Sequence, residues 1–284
     1  MSTLKIVVGP TAVGKSGYAV ALAREAGSPV VSCDSRQFYR ELRIGVARPE
    51  PELLAAVPHF FIADRSITEP LSAGGYEVEA LALLDELFKT HETVVMAGGS
   101  GLFIDALCNG LDDFPEADPE LREQLSERLR KEGVAALRAD LKILDPESYA
   151  ALDPANGQRI VRALEVTIAT GRKFSSFKTH APKPRPFAIE KIGLTRPRAE
   201  LYARIDARVD AMMAEGLLGE VRSLLPYRDL PALNTVGYKE LFGYLDGAYD
   251  LAEAVRLIKR NTRHYAKKQL TWWARDPQIR WLEL

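Results

Sequence analysis

Residues 9 to 16 read Gly-Pro-Thr-Ala-Val-Gly-Lys-Ser, the G-x-x-x-x-G-K-[ST] spacing of a phosphate-binding loop. Its surroundings give the spacing meaning, because an apolar run from Leu4 to Val8 leads in and a helix-like stretch from Tyr18 to Glu25 leads out. Gly9 and Gly14 let the backbone bend through Pro10, Thr11, Ala12 and Val13 so that successive amide N–H groups turn inward, and the positive end of the following helix dipole adds to them. Lys15 is placed to reach the outer phosphate, and the Ser16 hydroxyl to ligate Mg²⁺. A glycine-rich turn that binds nothing is the bland alternative, and the strand-to-helix setting argues against it. A di- or triphosphate is therefore the first ligand to place. The spacing leaves open whether it is hydrolysed, used as a donor or released whole as a leaving group.

A second constellation follows the apolar stretch Pro29 to Cys33, where Asp34-Ser35-Arg36-Gln37 begins. A third closes the run Thr93 to Ala97 with the turn Gly98-Gly99-Ser100-Gly101. In kinases and NTPases the end of such a core strand usually supplies an acid for Mg²⁺, and here glycines and a serine stand there instead. Asp34 becomes the interesting carboxylate, being the only acid between Glu25 and Glu41. It is placed to assist Mg²⁺ binding or to take a proton from an incoming nucleophile, unless it only caps the following turn.

The elements that must position these residues alternate in type. Strand-like runs at Leu4 to Val8, Pro29 to Cys33, His59 to Ile62, Thr93 to Ala97 and Ala188 to Leu194 are interleaved with helical periodicity, notably Gly75 to Lys89. This predicts an α/β fold, a P-loop NTPase-like parallel sheet whose ligands gather at the carboxyl ends of its strands. From Asp112 the texture turns helical, with stretches at Pro119 onward (stripe Leu121, Leu125, Leu129), Val134 to Leu141, Pro146 to Leu152 and Asn156 to Thr170. Gly171 is the expected C-cap and a basic, Pro-rich loop from Lys178 to Pro186 the way out. The expected organisation is a catalytic core of residues 1–111 and 184–284 interrupted by an all-helical insertion of 112–183. The remainder reads as helical: Arg198 to Glu215, Gly219 to Leu225, Gly237 to Leu245 and Leu251 to Ala274.

In the last of these, Val255, Ile258, Thr262, Tyr265, Gln269 and Trp272 are expected to face the core. Seven cations and no acid lie between Arg256 and Arg275. That row reads as a phosphate-backbone contact rather than a merely solvated face.

The chain of 284 residues carries a net charge of −1, so any nucleic-acid partner must be met by a local patch. With 46% hydrophobic and 27% charged residues and no long apolar run, it reads as a soluble globular protein without a membrane span. Cys33 and Cys108 have no metal or disulfide spacing, and the opening Met-Ser-Thr-Leu-Lys lacks a signal peptide, from which a cytoplasmic location is expected.

Several blocks, in order along nearly the whole chain, carry a resemblance. They are Gly-Pro-Thr-Ala-x-Gly-Lys-Ser at 9, Asp-Ser-x-Gln-x-Tyr-Arg at 34, Ile-Gly-x-Ala-x-Pro at 44, Val-Pro-His at 57, Gly-Gly-Ser-Gly-Leu-Phe at 98, Gln-Arg-Ile-x-Arg-Ala-Leu-Glu at 158, Gly-Tyr-Lys-Glu-Leu at 237 and Tyr-Ala-Lys-Lys-Gln-Leu-Thr-Trp at 265. Together they resemble the tRNA dimethylallyltransferases, in the shorter bacterial form that lacks a Cys/His zinc finger after the position of Trp281.

The resemblance implies transfer of a dimethylallyl group from dimethylallyl diphosphate to the exocyclic amine of the adenosine just 3′ of the tRNA anticodon, with the phosphate loop holding a diphosphate leaving group. It implies Asp34 as general base, Ser100 as the channel hydroxyl where threonine is usual, and Arg208, in Arg204-Ile205-x-x-x-Val209, as the guanidinium beside Lys15 and Mg²⁺. It further implies tRNA contacts from Asp34, Ser35, Arg36, Gln37, Ser100, Arg122, Gln158, Arg159, Ile160, Val161 and Arg162. The sequence departs from the family pattern at Arg36, Val46 and Arg48. A monomer is expected. The alternatives are an adenylate isopentenyltransferase acting on free nucleotide, a small-molecule kinase of the same fold, and a non-catalytic RNA-binding module.

Overall fold

The computed structural model describes residues 2–115, 118–179 and 181–284. Met1, Glu116, Ala117 and His180, which fall in the expected N-terminal lead, insertion and Pro-rich loop, lie outside the described residues. The chain forms two compact units, one of residues 1–109 with 184–284 and one of Gly110–Lys183.

The first unit is built on a parallel sheet of β1 (Thr3–Val8), β2 (Val30–Ser32), β3 (His59–Phe60), β4 (Thr93–Ala97), β5 (Ala188–Thr195) and β6 (Ile279–Glu283), in the order β3-β2-β4-β1-β5-β6. Ile6 lies opposite Met96 and Val8 opposite Gly193, so the central strand is flanked on both sides. Leu4, Ile6, Val7, Val8, Val94, Val95 and Met96 are fully buried, which is why these strands read as continuous apolar runs rather than alternating ones. The helices α1 (Lys15–Glu25), α2 (Pro51–Ala56) and α3 (Ala73–Leu87) connect the first four strands, and α4 (Gly101–Asn109) follows β4. At the start of α3 the Ser72 hydroxyl accepts from the Gly75 amide at 3.0 Å, fixing that helix's first turn.

The second unit contains α5 (Pro119–Glu132), α6 (Val134–Leu144), α7 (Pro146–Ala151) and α8 (Gly157–Thr170) around Leu125, Leu137, Leu141, Ile160, Val161 and Leu164. Asp118 Oδ1 caps α5 by accepting from the Glu120 and Leu121 amides, and Gly171 ends α8 in the left-handed region at φ 67°. The buried Asp145 carboxylate accepts from the amides and hydroxyls of both Ser148 and Ser175, tying α7 to the turn at Phe174–Phe177. The first unit then continues with α9 (Arg198–Ala214), α10 (Leu217–Ser223), α11 (Tyr238–Leu245) and α12 (Leu251–Trp273).

Three expectations are corrected. The strand expected over His59 to Ile62 stops at Phe60, because Phe61 takes φ 60° and turns the chain out of the sheet. The stretch after Ala188 to Leu194 is not wholly helical, since Ile279–Glu283 adds the edge strand β6 beside β5. In α12, Ile258, Gln269 and Trp273 are buried, but Tyr265 is 42% exposed and does not belong to the core stripe.

Candidate active site

The loop between β1 and α1 owes its shape to cations that hold its carbonyls. Lys15 Nζ donates to Gly9 O at 2.9 Å and Pro10 O at 2.8 Å. Arg204 Nε donates to Ala12 O and Arg196 Nε to Val13 O, each at 2.9 Å. Gly9 sits at φ 142° against β5, where an added Cβ would meet Leu194 O at 2.5 Å, so no other residue fits. With the carbonyls drawn outward, the amides of Lys15, Ser16 and Gly17 remain at the start of α1, whose first intrahelical bond runs from Tyr18 N to Gly14 O. One expectation is corrected here. Not every loop amide turns inward, because Thr11 N–H donates to Gln269 Oε1 at 2.8 Å and Val13 N–H to Pro10 O.

This loop opens on a cleft of about 1000 Å³ lined by Thr11, Ala12, Gly14, Lys15 and Ser16, by Asp34 and Gln37, and by Arg208 of α9. Apolar side chains from Ile44, Val46, Leu53, Leu54 and Met212 complete its wall. The lining thus combines the phosphate loop and the cations Lys15 and Arg208 with aliphatic side chains, and Arg43, Arg48, Glu50 and Glu215 also border it. Arg208 Nη1 lies 3.4 Å from Thr11 Oγ1, and burial followed by repulsion from Arg204 holds its acidity above the ordinary arginine value. Burial also lowers the Lys15 ammonium to about 8, with Asp34 opposing the shift and Arg208 adding to it. Two desolvated cations lining one cleft suit an anionic ligand.

Asp34 stands across the cleft, at the end of β2 and with β4 intervening between β2 and β1. Its Oδ1 accepts from the Arg36 amide at 3.0 Å, so the turn-capping role is real. No hydrogen bond among the described residues engages Oδ2, which leaves that oxygen for a proton acceptor's work. Gly98 allows β2 and β4 to end this close, since a Cβ there would meet Cys33 Sγ at 2.5 Å. Ser100 is half-buried beside the cleft residues Gly98 and Asp34. Its hydroxyl accepts from the Ser35 amide at 2.9 Å and donates to Ser35 Oγ at 3.0 Å, which anchors the turn that carries Asp34.

Gln37 Nε2 donates to Val46 O and Ala47 O, bracing the aliphatic wall. That wall is clamped again by the Glu220 carboxylate, which accepts from the amides of Arg43, Ile44 and Gly45 and from the Tyr238 hydroxyl. Arg48, one of the departures from the family pattern, gives its Nη2 to the carbonyls of Tyr39, Arg40 and Leu42 and serves the loop itself.

In the helical unit, Arg122, Gln158 and Arg159 present exposed side chains. Ile160 and Val161 do not, because both are 1% exposed and belong to that unit's core, and their side chains are corrected from contact positions to packing positions. Arg162 is half committed, donating to Pro115 O at 2.9 Å beside Glu165.

The basic row of α12 is also corrected. Arg256 pairs with Glu253 in the first turn of the same helix, Lys259 with Asp210 and Arg263 with Asp206 on α9, acids that the stretch from Arg256 to Arg275 does not contain. Lys267 and Lys268 remain as exposed cations without a recorded partner among the described residues.

For Mg²⁺, no group of three or more His, Cys, Asp or Glu side chains suited to a metal occurs among the described residues. The Ser16 hydroxyl beside the first amides of α1 fits a Mg²⁺ that takes its other ligands from phosphate oxygens and water, the usual habit of that ion. Both cysteines, Cys33 and Cys108, are free and buried, and no helix among the described residues is long and apolar enough to cross a membrane. Sequence reasoning missed Arg196 and Arg204 as loop anchors and assigned Gln269 to the core stripe. The signal for the latter was available, a lone amide among apolar positions.

The model of the IPP transferase family matches residues 37–276. A tRNA dimethylallyltransferase 2 of Porphyromonas gingivalis is 52% identical over 279 residues, covering 98% of this chain and 93% of the relative. A tRNA dimethylallyltransferase 1 of Bacteroides thetaiotaomicron is 50% identical over 281 residues, covering 99% and 91%. Among solved structures, the full-length tRNA isopentenylpyrophosphate transferase of Bacillus halodurans superimposes with a TM-score of 0.72 at 36% identity, covering 100% of this chain and 90% of that one.

Proposed function

The chain belongs to the IPP transferase family, and from that premise we propose that it transfers a dimethylallyl group from dimethylallyl diphosphate to the exocyclic amine of the adenosine just 3′ of the tRNA anticodon. The observation that carries this reading is the convergence of Lys15, Ser16, Arg208 and Asp34 on one cleft with an aliphatic wall. The cationic lining matches a diphosphate, the wall of Val46, Leu53 and Met212 matches a branched five-carbon chain, and a carboxylate lines the same cleft.

In the proposed reaction the amine nitrogen forms a bond to the allylic carbon while the bond from that carbon to the bridging oxygen breaks. The electron pair of the broken bond leaves with diphosphate, and the amine proton passes to Asp34 Oδ2. An adenine amine is a poor nucleophile because its lone pair is delocalised into the ring, so a base at that point supplies driving force. Charge growing on the departing diphosphate is stabilised by Lys15, Arg208 and the amides at the start of α1. Mg²⁺, held through Ser16, would add charge neutralisation on the diphosphate oxygens. Ser100 acts at one remove by holding Ser35 and hence the Asp34 turn.

The base is not reachable while stacked, so its extrusion into the cleft is part of the reading, at a few kcal/mol that an anticodon loop keeps low. Arg36 and Gln37, in the turn after Asp34, and Arg122, Gln158 and Arg159 of the helical unit are proposed contacts to the anticodon stem-loop. The setting is the cytoplasm, and the working form a monomer.

The test is incubation with dimethylallyl diphosphate and either unmodified tRNA or AMP, followed by mass analysis of the nucleosides. A dimethylallyl mass increment on one tRNA adenosine, with AMP unchanged, is expected. Modified AMP alongside inert tRNA would transfer the assignment to the free-nucleotide enzymes.

A further inference from the structure

The ladder between β1 and β4 ends where Gly98 N–H donates to Val7 O at 3.3 Å. Beyond it the two chains separate into the diphosphate loop and the glycine turn, and no further backbone bond between them is recorded among the described residues. One side chain spans that opening. Gln269, 6% exposed on α12, accepts from the Thr11 amide through Oε1 at 2.8 Å and donates through Nε2 to Gly99 O at 3.0 Å.

We propose that Gln269 is a positioning residue that sets the separation between the donor cradle and the turn carrying the base. This rests on the reading that the loop holds the diphosphate and Asp34 meets the amine. The link is continuous: Thr11 to Gln269 to Gly99, then Ser100 to Ser35, the neighbour of Asp34. An amide suits the place because it offers one acceptor and one donor at opposite corners, as the two backbone groups demand.

Gly99 is part of the same device, since a Cβ there would collide with Gln269 Nε2 and force the turn away. The helix that carries Gln269 is itself held three residues further on, where Trp272 Nε1 donates to Asp105 Oδ2 at 3.1 Å on α4. Gln269 touches neither reactant, and its effect is therefore on how well the reacting atoms are aligned. A misplacement on the order of 1 Å costs about 10²-fold in rate.

The experiment compares wild type with Gln269→Met and Gln269→Glu. Thermal unfolding monitors the fold, calorimetry with inorganic diphosphate and filter binding with tRNA monitor the two sites, and single-turnover transfer reads the chemical step. For Gln269→Met, a loss of about 10- to 100-fold in the transfer rate is expected, with both affinities within a few-fold of wild type. Gln269→Glu keeps the acceptor for Thr11, and only its protonated form can donate to Gly99 O. Its rate relative to wild type should therefore climb as pH falls from about 8 to about 6, burial having raised the carboxyl's pKa. A role confined to stability would not generate that pH dependence.

The proposal is overturned if transfer by Gln269→Met matches wild type, if its loss lies wholly in diphosphate or tRNA affinity, or if the Gln269→Glu ratio is flat with pH. Absence of transfer by wild type itself would instead refute the functional reading.

Discussion

Lys15 and Asp34 face each other across one cleft, and their surroundings assign them opposite work. The Asp34 carboxylate already uses one oxygen on the Arg36 amide, so replacing it by alanine would confuse a lost cap with a lost base. Asp34→Asn separates the two, because its carbonyl oxygen still accepts from Arg36 N–H while no proton acceptor remains. Transfer should fall by a factor on the order of 10² to 10⁴, with tRNA affinity and unfolding temperature unchanged; wild-type turnover in Asp34→Asn would remove the residue from its role. Lys15 makes a different prediction, through its lowered pKa of about 8, which burial causes. In the free protein the ammonium deprotonates as pH rises through about 8, and a bound diphosphate restores it. Calorimetry with inorganic diphosphate at about pH 8.5, repeated in buffers of different ionisation enthalpy, should therefore show proton uptake that disappears near pH 6.5. The stability consequence has a definite sign. Between about 8 and the unfolded value near 10.4 the unfolded chain binds more protons than the native one, so this group makes stability rise with pH across that window.

At the scale of elements, what was legible in the sequence depended on whether the deciding partner was local. Asp118-Pro119 and Gly171 bound their helices through contacts within one turn, and both ends stood where the residue types indicated. The strand β6 did not announce itself, because a five-residue edge segment has only one neighbour, β5, far earlier in the chain. The basic face of α12 failed for the same reason: Asp206 and Asp210, which neutralise Arg263 and Lys259, lie on α9. Most of the site was legible, since the loop, Asp34 and Arg208 belong to motifs. Its bracing by Arg196, Arg204 and Gln269 was not, because each braces by a contact across the fold. The corrected face of α12 yields a prediction. Changing Lys267 and Lys268 together to alanine should lower the slope of log affinity for tRNA against log salt by about 1 per phosphate contact, whereas Lys259→Ala should leave it unchanged. Equal slopes in both variants would return α12 to a merely solvated face. Asp145 offers a stability test in the helical unit. Burial pushes its carboxyl up, but hydrogen bonds from Ser148 and Ser175 outweigh that and hold it below the ordinary value. Its contribution is therefore present above the unfolded pKa near 3.9 and lost as pH falls through the folded one. Asp145→Asn should destabilise by about 1–3 kcal/mol at neutral pH, a difference that shrinks on acidification.

For the whole molecule, a net charge of −1 means that no global field draws in a polyanion as large as tRNA. Attraction has to come from particular cations, and the two units hold theirs for different ends. In the sheet unit Lys15 and Arg208 are desolvated and line the cleft proposed to take the diphosphate. In the helical unit Arg122 and Arg159 are exposed, the placement that suits a phosphate backbone. Each unit also has its own core, so substitutions on the surface of one leave the packing of the other alone. Binding of RNA and chemistry on the base should then come apart under mutation. Arg122→Ala combined with Arg159→Ala is expected to raise the KM for tRNA roughly 10-fold and to reduce the salt slope by about 1 to 2, with kcat at saturating tRNA and the affinity for inorganic diphosphate both unchanged. Asp34→Asn should give the reverse pattern, a collapsed kcat at an intact KM. If the double arginine variant instead lost kcat while binding tRNA normally, the helical unit would be acting on the reaction itself, and the division of labour between the two units would have to be redrawn.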